Sequence, residues 1–152
     1  MKGVFLLAAR KTLRWCLVLI WLILTVYLSC QHGPESGELS HKIAAGSYAL
    51  LKKVFPKISL SSYHTIIREV AHFAVHFVLA LLAYRAIAPC CKDFKAGIVV
   101  SLLFCLLIAA IDELIQCCSP GRTMEFIDFF HNSSGVSFGT IVGILSNDET
   151  AY

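Results

Sequence analysis

Charge is scarce in this chain: Asp, Glu, Lys and Arg make up 15% of its 152 residues. Soluble domains carry about 25%, so an ordinary soluble domain of this size is excluded. No stretch sustains the period-two alternation of a half-buried strand, and no segment repeats itself. There is no phosphate-binding glycine loop, and the basic residues are scattered, which removes nucleic acid from the expected partners. The seven cysteines include no Cys-x-x-Cys pair, so neither a zinc ribbon nor a thiol redox centre is indicated.

What is present is hydrocarbon. Apolar residues amount to 57%, and four runs, residues 13–30, 70–88, 96–118 and 126–145, approach or reach the roughly 17–25 residues that cross a bilayer as a helix. The expected fold is all-α: an integral membrane bundle of four transmembrane helices forming a single domain over residues 1–152. The bilayer is its first partner.

Lys2, Arg10, Lys11 and Arg14 stand at the start of the first run, and Arg85, Lys92 and Lys95 flank the connection between the second and third. The positive-inside rule then predicts cytoplasmic N- and C-termini, although Lys42, Lys52, Lys53 and Lys57 make the first outer loop basic too. Leu28-Ser29-Cys30 also resembles the end of a lipoprotein signal. The bulky Tyr27, Trp15 and Trp21 favour a retained helix instead.

Residues 31–37, with Gly33, Pro34 and Gly37, read as turn. Beyond them, Ile43, Leu50 and Val54 form an apolar stripe with Lys42, Lys52 and Lys53 off it. This predicts a short amphipathic extracytoplasmic helix, ended by Pro56, lying on the membrane or over the bundle. Cys30, Cys117 and Cys118 fall near the outer face, where a disulfide is geometrically conceivable, but packing is the simpler role for all seven cysteines.

The chemistry collects at one end of the bundle. Arg68, His72 and His76 recur at four-residue steps along one helix face. Asp112, Glu113 and Gln116 close the third run, Ser119-Pro120-Gly121-Arg122 makes a turn, and Asp128, His131 and Asn132 open the fourth run. Helical rise places these groups in one layer, and ionisable groups in a membrane face partners or a wet cavity. Three readings follow. The layer is a catalytic site, with Asp112, Glu113 or Asp128 as base, His72 as acid, and Arg68 and Arg122 clamping an anion. Alternatively it is a binding pocket for an anionic or lipid-linked envelope ligand, in which Arg68, Gln116, Arg122, His131 and Asn132 take part. Or it is a structural network held by Arg122–Asp128 and Arg68–Asp112 pairs, against which the surplus of acids over arginines counts. His72 and His76 are the weak metal candidates; their spacing arises readily by chance, Phe73 stands where a zincin glutamate belongs, and no metal or cofactor is expected. Gly135, Gly139 and Gly143, four residues apart, form a strip on which another span of the chain is expected to pack closely.

Taken together, Asp112-Glu113-Leu114-Ile115-Gln116, Pro120-Gly121-Arg122, Asp128, Asn132 and the spaced glycines resemble the VanZ-like membrane family. Ser29-Cys30-Gln31 is similar to its Ser-Ser-Gln, and Ala71-His72-Phe73 to its Ala-His-Phe. Family members often continue with Glu-Tyr where this chain has Val75 and His76, so a role for that glutamate does not carry over. The resemblance implies a multi-pass protein of the bacterial cell membrane acting at the envelope, associated with low-level teicoplanin resistance. It implies no particular reaction.

Overall fold

The computed structural model describes residues 2–31, 33–121 and 125–146. They form five α-helices: α1 (Lys2–Ser29), α2 (Gly33–Val54), α3 (Leu60–Ile87), α4 (Phe94–Cys118) and α5 (Phe126–Leu145). A 3-10 turn, Ala88–Cys90, extends α3, and there is no strand among the described residues. The all-helical expectation is met.

Local chemistry accounts for the helix ends. Ser59 caps α3 by accepting the Ser62 amide at 3.0 Å, and Asp93 caps α4 by accepting the Ala96 amide at 2.8 Å. After α4, Gly121 adopts a φ of 75°, a left-handed conformation that favours glycine. Asp128 lies in the first turn of α5, where a negative charge suits the helix dipole.

Two expectations need correction. Residues 33–37 are the opening of α2 and not a turn, so that helix is longer than its apolar stripe. Proline is tolerated in a first helical turn because its missing N–H would have no partner there anyway. The helix of the second run likewise starts at Leu60, well before residue 70, because the Ser59 cap sets its origin.

Three helices contain segments long and apolar enough to cross a membrane: Leu6–Ser29, Leu60–Cys90 and Phe94–Cys118. Only 17%, 22% and 28% of their apolar windows are buried inside the protein, so most of that apolar surface faces outward. α5 falls outside this set; Asp128, His131 and Asn132 interrupt its hydrocarbon near its start.

α3 is the central helix, touching α1, α2, α4 and α5 and packing most extensively on α5. The glycine strip explains that pairing. A Cβ placed on Gly135 would stand 2.3 Å from the Phe73 carbonyl oxygen, and one on Gly139 2.2 Å from that of Phe77. Only glycine permits the two backbones to lie so close. Around this seam Leu79, Ala80, Ala83, Ile87, Cys105 and Val136 form the apolar core.

Hydrogen bonds mark the two ends of the bundle. At one, Arg14 Nη1 donates to the Arg85 carbonyl at 3.1 Å and Arg85 Nη2 donates to Ser146 at 2.9 Å. At the other lie the end of α1, the end of α4 and the start of α5. α2 leans on the first half of α3: Ala44 is buried, Ser47 and Tyr63 share a 2.8 Å hydrogen bond, and Tyr48 donates to the Ile58 carbonyl at 2.8 Å. Leu50 and Val54 of its stripe remain exposed. All seven cysteines are free thiols.

Candidate functional site

At the end of the bundle away from Arg14 lies a cavity of about 190 Å³. Thr25, Leu28, Ser29 and Gln31 from the end of α1 and beyond line one side, and Ile43 of α2 reaches its edge. α3 contributes Ile67, Arg68, Ala71, His72, Val75 and His76, and α4 contributes Asp112 and Gln116. Residues 68, 72 and 76 reach the same space because four residues make just over one helical turn.

Three linked polar groups build the site. In the first, the Ser29 hydroxyl donates to Asp112 Oδ1, and Gln116 Nε2 donates to Asp112 Oδ2 at 2.8 Å. Ser119 secures the Ser29 segment by donating to the Ser29 carbonyl at 3.1 Å. Asp112 is thus a buried carboxylate held by neutral donors from two helices.

In the second, Asn132 Nδ2 donates to Glu113 Oε1 at 2.8 Å, which turns its Oδ1 toward His72 Nδ1 at 3.2 Å. A carboxylate and an amide oxygen can only accept, so Nδ1 of His72 carries the donated proton. The other ring nitrogen, Nε2, stands 3.7 Å from Asp128 Oδ2, beyond a hydrogen bond. His76 repeats the pattern one turn on, with Nδ1 donating to the His72 carbonyl at 3.2 Å. Its Nε2 is buried without a hydrogen-bond partner among the described residues.

In the third, Arg68 Nη2 pairs with Asp128 Oδ2, with Glu125 Oε1 at 3.6 Å. This corrects the expected Arg68–Asp112 pair. Because α3 rests on α5 through the glycine strip, Arg68 meets the first turn of α5, while Asp112 turns to α1.

The cavity thus takes up Arg68, His72, Asp112 and Gln116 directly. Asp128 and Asn132 are buried behind it as partners of Arg68 and His72, and Glu113 is buried there as the acceptor from Asn132. Glu113 follows Asp112 by one residue, about 100° round the helix, and so points to α5. His131 neither lines the cavity nor hydrogen-bonds through its buried Nδ1 within the described residues. Arg122 lies outside the described residues. The glycine strip sits against α3, away from the cavity. The residues that pattern reading missed are Thr25 and Ser29, uncharged groups whose only advance signal for Ser29 was its place in a Ser-Cys-Gln triplet.

The family model described as VanZ/LLP1 matches residues 14–147. The chain belongs to the VanZ/LLP1 family. The match takes in every side chain of the site, from Thr25 to Asn132. No curated protein and no solved structure matches the chain. As a member of this family with three helices apolar enough to span a bilayer, it is a helical membrane protein.

Proposed function

We propose that this VanZ/LLP1 protein is a multi-pass protein of the bacterial cell membrane whose cavity takes the headgroup of a lipid-linked or anionic envelope ligand. Through that binding it contributes to low-level teicoplanin resistance. α5 is the fourth span in this reading: its polar residues Asp128 and Asn132 are buried against the bundle, while Phe126, Phe130, Phe138, Ile141 and Leu145 are exposed to meet lipid. Both termini are cytoplasmic, and α2 covers the outer end.

The observation that carries the reading is the composition of the cavity wall. Leu28, Ile43, Ile67, Ala71 and Val75 provide an apolar lining fit for an acyl or isoprenoid chain, and the polar groups converge beyond it. Arg68, with 38% of its side chain exposed, stands at the mouth, whereas Asp112 is 5% and His76 1% exposed at the base. A purely structural network leaves unexplained why His72, His76 and Asp112 converge on open volume.

A second reading has its own support. Asp112 is oriented by Ser29 and Gln116, and His72 by Asn132, the arrangement in which a carboxylate base and an imidazolium acid, with His72 also protonated on Nε2, act on one substrate. Asp128 is taken up by Arg68, which leaves Asp112 as the base and Glu113 as support for Asn132.

The test is teicoplanin susceptibility of cells carrying empty vector, the unaltered protein or His72→Gln at matched membrane levels. The proposal predicts protection by the unaltered protein and its loss in the variant. No protection by the unaltered protein overturns it. Mass spectrometry of the lipid-linked envelope precursors separates the readings: only catalysis changes their composition.

A further inference from the structure

A ring nitrogen of His72 and carboxylate oxygens of Asp112 and Glu113 all lie within 4.8 Å of one another. Ligands of a tetrahedral zinc ion, bonded at about 2.0–2.1 Å, stand about 3.4 Å apart. The three atoms therefore stand at most about 1.4 Å beyond the spacing of such ligands. We propose that His72, Asp112 and Glu113 hold one divalent cation of the zinc class, that His76 is its fourth ligand, and that the cation faces the cavity.

Several features of the site point this way besides the clustering. His76 lines the same cavity, is 1% exposed, and has an Nε2 with no hydrogen-bond partner among the described residues. Leaving such a nitrogen buried and unused is unfavourable, because it has given up water without gaining a partner. A metal ion uses its lone pair. The hydrogen bonds of the two imidazoles also set these ligands in the required form. Nδ1 of His76 donates to the His72 carbonyl and Nδ1 of His72 donates to Asn132, so in both neutral rings the lone pair is on Nε2. Metal-binding histidines are oriented in this way by the bond from their second nitrogen. Asn132 in turn donates to Glu113, so one amide aligns two of the ligands.

Charge supplies a further reason. Asp112 is buried, and its hydrogen-bond donors, Ser29 and Gln116, are both neutral. Arg68, the cation that shares the cavity, is engaged by Asp128. Among the described residues no cation hydrogen-bonds Asp112, and a divalent ion beside it would supply positive charge to this buried carboxylate. Each Asp112 oxygen accepts one hydrogen bond and keeps a lone pair for the ion. Mixed imidazole and carboxylate ligands suit zinc, manganese and iron better than calcium or magnesium.

The inference rests on the proposed function only in using the same cavity, and its test needs no envelope ligand. The full chain is purified in detergent through a tag without histidine, stripped with a chelator and dialysed against zinc or cobalt(II). The expected result is one zinc per chain by elemental analysis and a visible cobalt absorption of a tetrahedral site. Asp112→Asn and His72→Gln weaken binding at least about tenfold; Asn132→Ala, which removes the orienting amide, weakens it about 10–100-fold. Substitution of the exposed His41, His41→Ala, leaves it unchanged. If the Asp112 and His72 variants do not accumulate, His76→Ala decides alone: its loss of cobalt absorption supports the site, and an unchanged spectrum overturns it. Substoichiometric zinc, or binding lost through His41→Ala, likewise overturns it. Stoichiometric zinc without teicoplanin protection removes the proposed function and keeps the metal site, and protection without zinc does the reverse.

Discussion

The hydroxyl of Ser29, the last residue of α1, donates directly to the carboxylate of Asp112 on α4. A serine at the end of one apolar helix thereby fixes a charged group of another, eighty-three positions away in the chain. The bond is buried, so water does not compete for it. Hydrogen bonds to charged groups contribute about 1.5–3 kcal/mol. We predict that Ser29→Ala lowers the thermal unfolding temperature in detergent, while Ser29→Thr, which keeps the hydroxyl, recovers most of it. Equal stability of Ser29→Ala and the unaltered protein would show that the contact is not made.

The α3–α5 seam yields a second prediction. In an open helix position, Gly→Ala gains roughly 0.5–1 kcal/mol. At Gly135 and Gly139 the added methyl meets carbonyl oxygens of Phe73 and Phe77. Backbone cannot step aside as a side-chain tip can, so Gly135→Ala and Gly139→Ala are expected to reduce membrane accumulation and stability. Gly46→Ala, where a Cβ meets nothing within 4 Å, is expected to be neutral or mildly stabilising. Comparing the three variants by fluorescence-detected size exclusion after graded heating checks this. Tolerance at Gly135 and Gly139 together would refute the close seam.

Arg68 and Asp128 form an unequal pair, one side chain 38% exposed and the other 4%. Removing the arginine strands a buried carboxylate, whereas removing the carboxylate frees an arginine that still reaches solvent. Arg68→Ala is therefore expected to destabilise more than Asp128→Asn. In a double-mutant cycle the double variant should be more stable than the sum of the single losses predicts, by about 0.5–3 kcal/mol for groups in contact. Additive losses would mean that the two do not interact.

Much of the helical layout can be read from the chain, because a run such as residues 96–118 has no soluble alternative. The start of α2 was hidden by Gly33, Pro34 and Gly37, which mark a break in most contexts and a helix origin only when proline falls in the first turn. The members of the polar layer were visible as ionisable residues in greasy surroundings. Their pairing was not. Asp112 and Asp128 are equivalent partners for Arg68 by depth, and the choice is made by the glycines that draw α5 onto α3. Ser29 was obscure for a different reason: a serine near a helix end is usually only a backbone partner, and its role emerges when α4 brings Asp112 alongside.

The central claim is that the polar cavity acts and does not merely hold the helices together, and Asp112 separates these roles. Asp112→Asn keeps the shape and can still accept from Ser29, but removes the charge. The decisive measurement is teicoplanin susceptibility of cells producing Asp112→Asn, set beside its membrane abundance and unfolding temperature. We predict normal abundance, an unfolding temperature close to that of the unaltered protein, and susceptibility equal to empty vector. Protection undiminished in Asp112→Asn, or protection that falls only in proportion to the amount of protein, would contradict the claim and leave the site a structural network.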